Sequence, residues 1–184
     1  MRNGVFCRIK SLAAQFFSVS TWRDRTYALR MSARIFQYNY RVTYADCTVG
    51  NHIYYARYMD LLEAARGEFF RDLGATFLQW QARDAIFPVV EARLRYHSPA
   101  RYDELLAIGV WLTTAERVRL NFAYRISNQS DTVVLEAETF HVCTALNEKP
   151  KRLPDDLATM LQPYLHTAKP HAPRRVLLDK AGGG

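Results

Sequence analysis

Cysteine is scarce in this chain of 184 residues, and its arrangement argues against two classes of small protein. Only Cys7, Cys47 and Cys143 are present, widely spaced and in no C-x-x-C pattern. An odd number of isolated thiols argues against a disulfide framework, and the missing paired spacing argues against a structural zinc site. Such cysteine usage is typical of the reducing cytoplasm, so we expect a cytoplasmic location.

Long apolar runs and internal repeats are also lacking. No run approaches the roughly 20 apolar residues that a membrane-spanning helix needs, so we expect no membrane association. Low-complexity sequence is confined to the glycine triplet at the end of the chain. The chain is 49% hydrophobic and 13% aromatic, which is typical of a globular protein, and its length favours one domain with additional tails.

A net positive charge is absent from the part of the chain that is patterned for folding. The net charge of +7 divides into +5 over residues 1–30, −1 over residues 31–147 and +3 over residues 148–184. A nucleic-acid-binding domain concentrates basic residues on its folded surface. The distribution therefore argues against a nucleic-acid partner, although a basic protein associated with nucleic acid through its ends is a distant alternative.

The first thirty residues form an N-terminal extension with two possible interpretations. They are rich in arginine, contain serine and hold a single acidic residue, Asp24, as organelle transit peptides do. Alternatively, Met31 is the true first residue, since strand patterning begins just after it. We assign the extension to residues 1–30, the domain to residues 31–165 and a flexible basic tail to residues 166–184.

Period-two alternation predicts five strands. The clearest case has Leu120, Phe122, Tyr124 and Ile126 alternating with more polar residues, which indicates a half-buried strand. The predicted strands are Ile35–Tyr44, Ile86–His97, Glu104–Glu116, about 119–126, and Thr132–Ala145. Pro88, near the start of the second, indicates an edge strand or a bulge.

A change to helical period predicts one long helix from about Ile53 to Leu73, ended by Gly74. Its apolar stripe consists of Tyr58, Leu61, Leu62, Ala65, Phe69 and Leu73. We predict a connector from Ala75 to about Asp84 and a short helix over Asp155–Tyr164. Consecutive strands with short turns form an antiparallel sheet, so the fold class is α+β, with the long central helix wrapped by a curved five-stranded antiparallel sheet.

The segment just ahead of the long helix is the most informative part of the sequence. Asp46 and His52, two potential proton carriers, lie in a short loop whose Gly50 and Asn51 tolerate unusual backbone angles. A helix N-terminus presents unpaired N–H groups and a partial positive charge, so it can polarise a carbonyl or hold an oxyanion. This combination predicts chemistry on an acyl group.

Three motifs from Phe36 to Leu161 carry a family resemblance. They are the helix start Tyr54–Arg66, the strand and Pro-Ala-Arg turn in Phe87–Leu106, and the closing Lys151-Arg-Leu-Pro-Asp-Asp156. In this order and spacing the chain resembles the hotdog-fold acyl-CoA thioesterases of the 4-hydroxybenzoyl-CoA thioesterase type. The resemblance implies a homodimer, often paired into a tetramer, with active sites at the subunit interface and with no metal or bound cofactor.

The resemblance also implies roles for residues of the loop. The family signature reads Asp-x-Asp-x-x-Gly-(His or Ile)-Val, and its second Asp is the nucleophile or general base. Asp46 matches the first Asp, but Thr48 stands at the second and Asn51 at the glycine. His52 matches the histidine of the branch that acts on acyl-carrier proteins, and Tyr55 stands where a backbone N–H polarises the thioester carbonyl.

The candidate catalytic residues each have a second interpretation. Asp46 is a possible base if residues 46–48 are extended, since its carboxylate would then lie beside the Thr48 position; otherwise it bonds N–H groups of the loop or helix cap. His52 has a suitable ordinary pKa for base catalysis or simply packs at the helix start. Glu63 is a partly desolvated carboxylate or the partner of Arg66 in an intrahelical pair. Thr48 can orient a water molecule but cannot deprotonate it.

The candidate substrate-binding residues surround the same loop. The N–H of Tyr55, with that of Tyr54, would hold the carbonyl oxygen, and Arg93 would meet the CoA phosphates unless it is a solvated charge on the sheet. Asn51 and Met59 complete the set, although the second interpretation of Met59 is packing in the core or an interface rather than lining of an acyl pocket. Cys47 lacks an obvious partner base for nucleophilic catalysis, and we expect His97 and His141 to be structural.

The predicted function is hydrolysis of an acyl-CoA or acyl-carrier-protein thioester. The alternative is a non-hydrolytic hotdog protein that binds acyl thioesters, because Thr48 replaces the family's acid. Neither the choice between aryl and fatty acyl groups nor that between a dimer and a tetramer follows from these residues.

Overall fold

The predicted sheet is present in the computed structural model of the protein, which describes residues 33–166. The predicted extension over residues 1–30, and the predicted tail apart from its first residue, lie outside the described residues. The strands are β1 (Phe36–Arg41), β2 (Cys47–Thr48), β3 (His52–Ile53), β4 (Val89–Tyr96), β5 (Leu105–Glu116), β6 (Arg119–Asn128) and β7 (Val133–Val142). Five of them form an antiparallel sheet in the order β1-β5-β6-β7-β4, which confirms the predicted α+β hotdog architecture.

Three α-helices accompany the sheet in the described part of the chain: α1 (Arg57–Asp72), α2 (Phe77–Ala82) and α3 (Asp155–Leu161). The predicted start of the long helix at Ile53 is wrong by four residues, because Ile53 is paired with Cys47 and its N–H donates to the Ala100 carbonyl. The predicted connector from Ala75 to Asp84 is also wrong. It contains α2, whose capping residue Thr76 accepts a hydrogen bond from the Gln79 N–H, a T-x-x-Q start signal present in the sequence.

The core lies between α1 and one face of the sheet. Ile108, Ile126 and Leu135 stand opposite one another on β5, β6 and β7, and each is fully buried. On the facing helix the predicted stripe is buried from Tyr58 to Phe69, and the Phe69 ring meets that of Phe122 edge-on at 6.1 Å. Burial of one helix stripe and of alternate strand residues therefore holds the two layers together.

The far end of the sheet is irregular, as Pro88 predicts. β4 is an edge strand, and its pairing with β7 shifts between Val89 and Glu91. Proline lacks an N–H and cannot join a central ladder, so its place just before an edge strand is physically consistent. None of the helices within residues 33–166 combines the length and the apolar character needed to cross a membrane.

Candidate functional site

The segment ahead of α1 is a miniature hairpin. Cys47 pairs with Ile53 and Thr48 with His52, and the turn between them places Gly50 at φ 94° and Asn51 at φ 59°. These are left-handed angles that Gly and Asn tolerate better than most residues. The Asn51 side-chain oxygen accepts the Tyr102 N–H at 3.1 Å, so this turn is attached to the segment that leads into β5.

Asp46 is buried, and its carboxylate serves the backbone and neighbouring hydroxyls. Its Oδ2 accepts hydrogen bonds from the Tyr40 hydroxyl at 2.7 Å, the Thr43 N–H at 2.8 Å and the Thr43 hydroxyl at 2.6 Å. Burial by itself raises the pKa of Asp46, but these hydrogen bonds and the positive charge of Arg57 together lower that pKa below its ordinary value. A carboxylate held in this way is a weak base, and its geometry is that of the loop-bonding interpretation.

Asp46 and Thr48 do not share one side of an extended segment. Asp46 ends a 3-10 turn over Tyr44–Asp46 and is 5% exposed, whereas Thr48 is exposed in β2. The expectation that the Asp46 carboxylate lies beside the Thr48 position is therefore wrong. The physical reason is that hydrogen bonds from three donors inside the loop stabilise the carboxylate more than exposure to solvent would.

Thr48 and His52 are brought together by the hairpin. They are directly opposite in the β2–β3 pair, which places their Cβ atoms about 5 Å apart on the same face. The Thr48 hydroxyl donates to the His52 carbonyl at 3.3 Å, and both residues are exposed. The imidazole is thus held on the solvent side of the loop with a hydroxyl beside it.

Backbone N–H groups at the entry to α1 are only partly engaged. The Tyr54 N–H donates to the Asp46 carbonyl at 2.9 Å. The prediction that this N–H helps to hold the substrate carbonyl is therefore wrong. Neither the Tyr55 N–H nor the Ala56 N–H donates to any residue that the structure describes. Tyr55 and Ala56 are both exposed, so two consecutive donors are presented where α1 begins.

Four tyrosines, Tyr54, Tyr55, Tyr58 and Tyr96, make contacts where α1 begins. The rings of Tyr54 and Tyr55 are 4.7 Å apart, and those of Tyr58 and Tyr96 meet edge-on at 5.6 Å. The Tyr96 hydroxyl donates to the Tyr55 carbonyl at 3.1 Å. Sequence reasoning missed Tyr96, because only the pairing of β4 with β7 shows that this position faces the helix.

Glu63 and Met59 lie further along α1. Glu63 is exposed, and the possible pair with Arg66 does not form, because Arg66 donates to the Tyr124 hydroxyl at 3.3 Å. Met59 is 37% exposed and belongs to the solvent side of the helix. Seven residues of helical rise separate Ala56 from Glu63, about 10 Å, so Glu63 does not stand beside the two free N–H groups.

Arg93 is not brought to the loop. Its Nε donates to the Glu91 carboxylate at 2.7 Å, and its guanidinium lies 4.8 Å from the centre of the Phe140 ring. Alternate residues of a strand face opposite sides, and Tyr96 faces the helix, so Arg93 faces the other side of the sheet. The Cys47 thiol, in the loop itself, donates weakly to the Thr43 carbonyl at 3.6 Å.

A second polar cluster lies inside the core. His141 is 2% exposed, with Nδ1 2.9 Å from the Phe87 carbonyl and Nε2 2.9 Å from the Thr139 hydroxyl. The Thr139 hydroxyl is also 3.0 Å from that of Tyr124. A carbonyl can only accept, so Nδ1 carries the proton and Nε2 accepts from Thr139. The cluster joins β6, β7 and the residue before Pro88, which fits the expected structural role of His141.

Comparison with known proteins identifies the family. The model of the thioesterase-like superfamily matches residues 42–161 of the chain. Acyl-CoA thioester hydrolase YbgC of Escherichia coli is 33% identical over 128 residues, which cover 69% of this chain and 96% of that protein.

Solved structures give the same result for the fold. The hypothetical protein TT1821 from Thermus thermophilus is 29% identical, has a TM-score of 0.65, and is matched over 70% of this chain and 98% of its own. Slr0204 from Synechocystis, a 1,4-dihydroxy-2-naphthoyl-CoA thioesterase, has a TM-score of 0.66 at 24% identity. The match covers 70% of this chain and 96% of Slr0204.

Proposed function

The chain belongs to the thioesterase-like superfamily, and on that premise we propose that it hydrolyses acyl-CoA thioesters at the loop that leads into α1. One observation carries the assignment to this site: the N–H groups of Tyr55 and Ala56 have no partner among residues 33–166, and they follow the Thr48–His52 pair by only a few residues in the chain. The names of the relatives favour hydrolysis over the alternative of binding without turnover.

The two N–H groups act as the oxyanion donors. During thioester hydrolysis, negative charge develops on the carbonyl oxygen as water adds to the carbonyl carbon. Donors that are already aligned stabilise this charge without reorganising, and one such donor is worth roughly 2.7–4 kcal/mol in the transition state. The partial positive charge at the start of α1 adds to the same effect.

His52 takes the proton from the attacking water. The water oxygen bonds to the carbonyl carbon, the carbon–sulfur bond breaks, and the leaving CoA thiolate takes up the proton that His52 received from the water. Thr48, opposite His52, orients the water but is too weak a base to activate it. Asp46 keeps the loop in place through its bonds to Thr43 and Tyr40.

Three variants rank the possible bases. Thiol release from benzoyl-CoA and hexanoyl-CoA is measured for His52→Ala, Glu63→Gln and Asp46→Asn. We expect His52→Ala to lower kcat by about a hundredfold or more, the usual contribution of a general base, and Glu63→Gln to stay within about threefold of the unmodified protein. A hundredfold loss in Glu63→Gln with a fully active His52→Ala would transfer the role of base to Glu63. Bound acyl-CoA without turnover in the unmodified protein would contradict hydrolysis itself.

We further propose that the protein is a homo-oligomer. β4 is an edge strand, and its apolar Val89 and Val90 are 44% and 66% exposed. An uncovered edge with apolar side chains favours pairing with another strand, and a second copy supplies one. Light scattering should then give a multiple of the 21.3 kDa chain mass, whereas a single species of 21.3 kDa would contradict the proposal.

We also propose that the protein acts in the cytoplasm. Cys47 and Cys143, the two cysteines within the described residues, are both free thiols, as a reducing compartment keeps them. Cell fractionation with a tag at either end tests this, and recovery in an organelle would favour the transit-peptide interpretation of residues 1–30.

A further inference from the structure

Two consecutive peptide groups at the entry to α1 are anchored through their carbonyls. The Tyr54 carbonyl accepts the Arg57 N–H at 2.8 Å, within the first turn. The Tyr55 carbonyl accepts the Tyr96 hydroxyl at 3.1 Å, from a strand 41 residues away in sequence. In a trans peptide the N–H points opposite to the C=O, so anchoring each carbonyl fixes the direction of the N–H on the same plane. Those N–H groups belong to Tyr55 and Ala56.

The two anchors differ in origin. The bond from Arg57 is local and accompanies formation of the helix. The bond from Tyr96 is long-range and depends on where β4 lies. Without it, the peptide between Tyr55 and Ala56 has no other described contact on its carbonyl, and it precedes the regular part of α1. This peptide is therefore the one whose orientation needs a side chain.

We propose that Tyr96 is a positioning residue for thioester hydrolysis: its hydroxyl sets the direction of the Ala56 N–H and thereby completes a two-donor oxyanion site. This inference rests on the proposed function of the loop. It adds a residue of β4 to a site otherwise built from the segment between β1 and α1.

Burial does not explain the bond from Tyr96. The side chain is 48% exposed, so solvent could satisfy its hydroxyl. The ring has its own packing contact with Tyr58, which places the side chain whether or not the hydroxyl is present. Burial and the neighbouring Tyr55 raise the pKa of Tyr96, so the phenol stays protonated and remains a donor at neutral pH.

The hydroxyl also strengthens the donor that it orients. A hydrogen bond to a peptide carbonyl polarises the whole group, and chains of such bonds strengthen one another by roughly 10–30% per bond. The Ala56 N–H is thus both aligned and made a better donor. Both effects act on charge that appears only in the transition state, so they raise kcat without changing substrate affinity.

The test is Tyr96→Phe, which keeps the ring contact and removes the hydroxyl. Complete loss of an oxyanion donor lowers kcat by about 10²–10³, and a loosened donor retains part of its effect, so we expect a fall of about 5- to 30-fold with KM within about twofold. The matched control is Tyr38→Phe on β1, at the opposite edge of the sheet, which should keep the unmodified kcat. Both variants should keep the same urea midpoint.

The outcomes separate this inference from the proposed function. If the unmodified protein releases no thiol from benzoyl-CoA or hexanoyl-CoA, the proposed function is contradicted. The orienting effect of Tyr96 is then tested by NMR on the Ala56 amide. Its proton resonance should move upfield in Tyr96→Phe and stay in place in Tyr38→Phe. An active protein in which Tyr96→Phe has the unmodified kcat, or loses activity through KM alone, overturns the inference. So does an Ala56 resonance that is unchanged in Tyr96→Phe.

Discussion

The buried His141 makes the stability of this protein depend on pH in a defined window. Burial lowers the pKa of His141 from 6.5 to about 4, and the nearby positive charge of Arg66 acts in the same direction against the raising effect of the Phe87 carbonyl. In the folded protein the imidazole is neutral, with Nε2 accepting from Thr139. Protonation would turn that acceptor into a second donor facing Thr139 and Arg66.

The sign and size of the effect follow from proton linkage. Between pH 6.5 and about 4 the unfolded chain binds a proton at His141 that the folded chain does not, so stability is full above pH 6.5 and is lost as the pH falls. The total loss is about 3 kcal/mol, of which about 2 kcal/mol is lost between pH 7 and pH 5. Asp46 contributes a further loss of stability at pH values below this window, because its pKa in the folded protein lies under its ordinary value of 3.8.

Urea unfolding at pH 7 and pH 5 measures this loss. Fluorescence reports the transition, since Trp80 is 1% exposed and becomes solvated on unfolding. We expect the free energy of unfolding to fall by about 2 kcal/mol between the two pH values at constant m-value. In His141→Gln the difference should shrink to about 0.5 kcal/mol or less, while the exposed control His97→Gln should keep it. A loss of the same size in His141→Gln, or none in the unmodified protein, would refute the reasoning.

Other substitutions test the core, the loop and the sheet face. Phe122→Ala should lower the free energy of unfolding by about 3–5 kcal/mol, because Phe122 is fully buried; a loss below 1 kcal/mol would contradict the packing. Asp46→Asn should cost about 1.5–3 kcal/mol in urea unfolding, since it weakens charged hydrogen bonds, and an unchanged midpoint would contradict the loop-anchoring role. Arg93→Gln should leave KM for acyl-CoA within about twofold, because its guanidinium is engaged by Glu91 and Phe140. A tenfold rise in KM would return Arg93 to the substrate site.

Local patterns predicted the layers of the fold. The alternation of Leu120 to Ile126 and the helical stripe of Tyr58 to Phe69 both point into the core, as expected. Apolar burial imposes these periods on any strand or helix that packs on one side, so they are visible in sequence. The start of α1 was misplaced because the pairing of Ile53 with Cys47 competes with the helix, and that pairing has no periodic signal in so short a segment.

The site was located by sequence but not resolved by it. The loop, the helix start and the candidates Asp46, His52 and Tyr55 could all be named from their order in the chain. The sequence did not show that His52, and not Asp46, faces solvent. Asp46 is turned inward because the Tyr40 and Thr43 hydroxyls donate to its carboxylate. The catalytic assignments of His52, Thr48 and Glu63 stay predictions until the variants are measured.

The sequence alone determined the fold class, the family and the segment where the chemistry is proposed, because these depend on local spacing and on motifs contiguous in the chain. The tertiary structure decided which donors are free and which are taken: the Tyr54 N–H is bound by Asp46, and the Tyr55 carbonyl by Tyr96. The direction of the Tyr55–Ala56 peptide plane is set by a contact between residues distant in sequence, and that contact exists only after the sheet has closed over the helix.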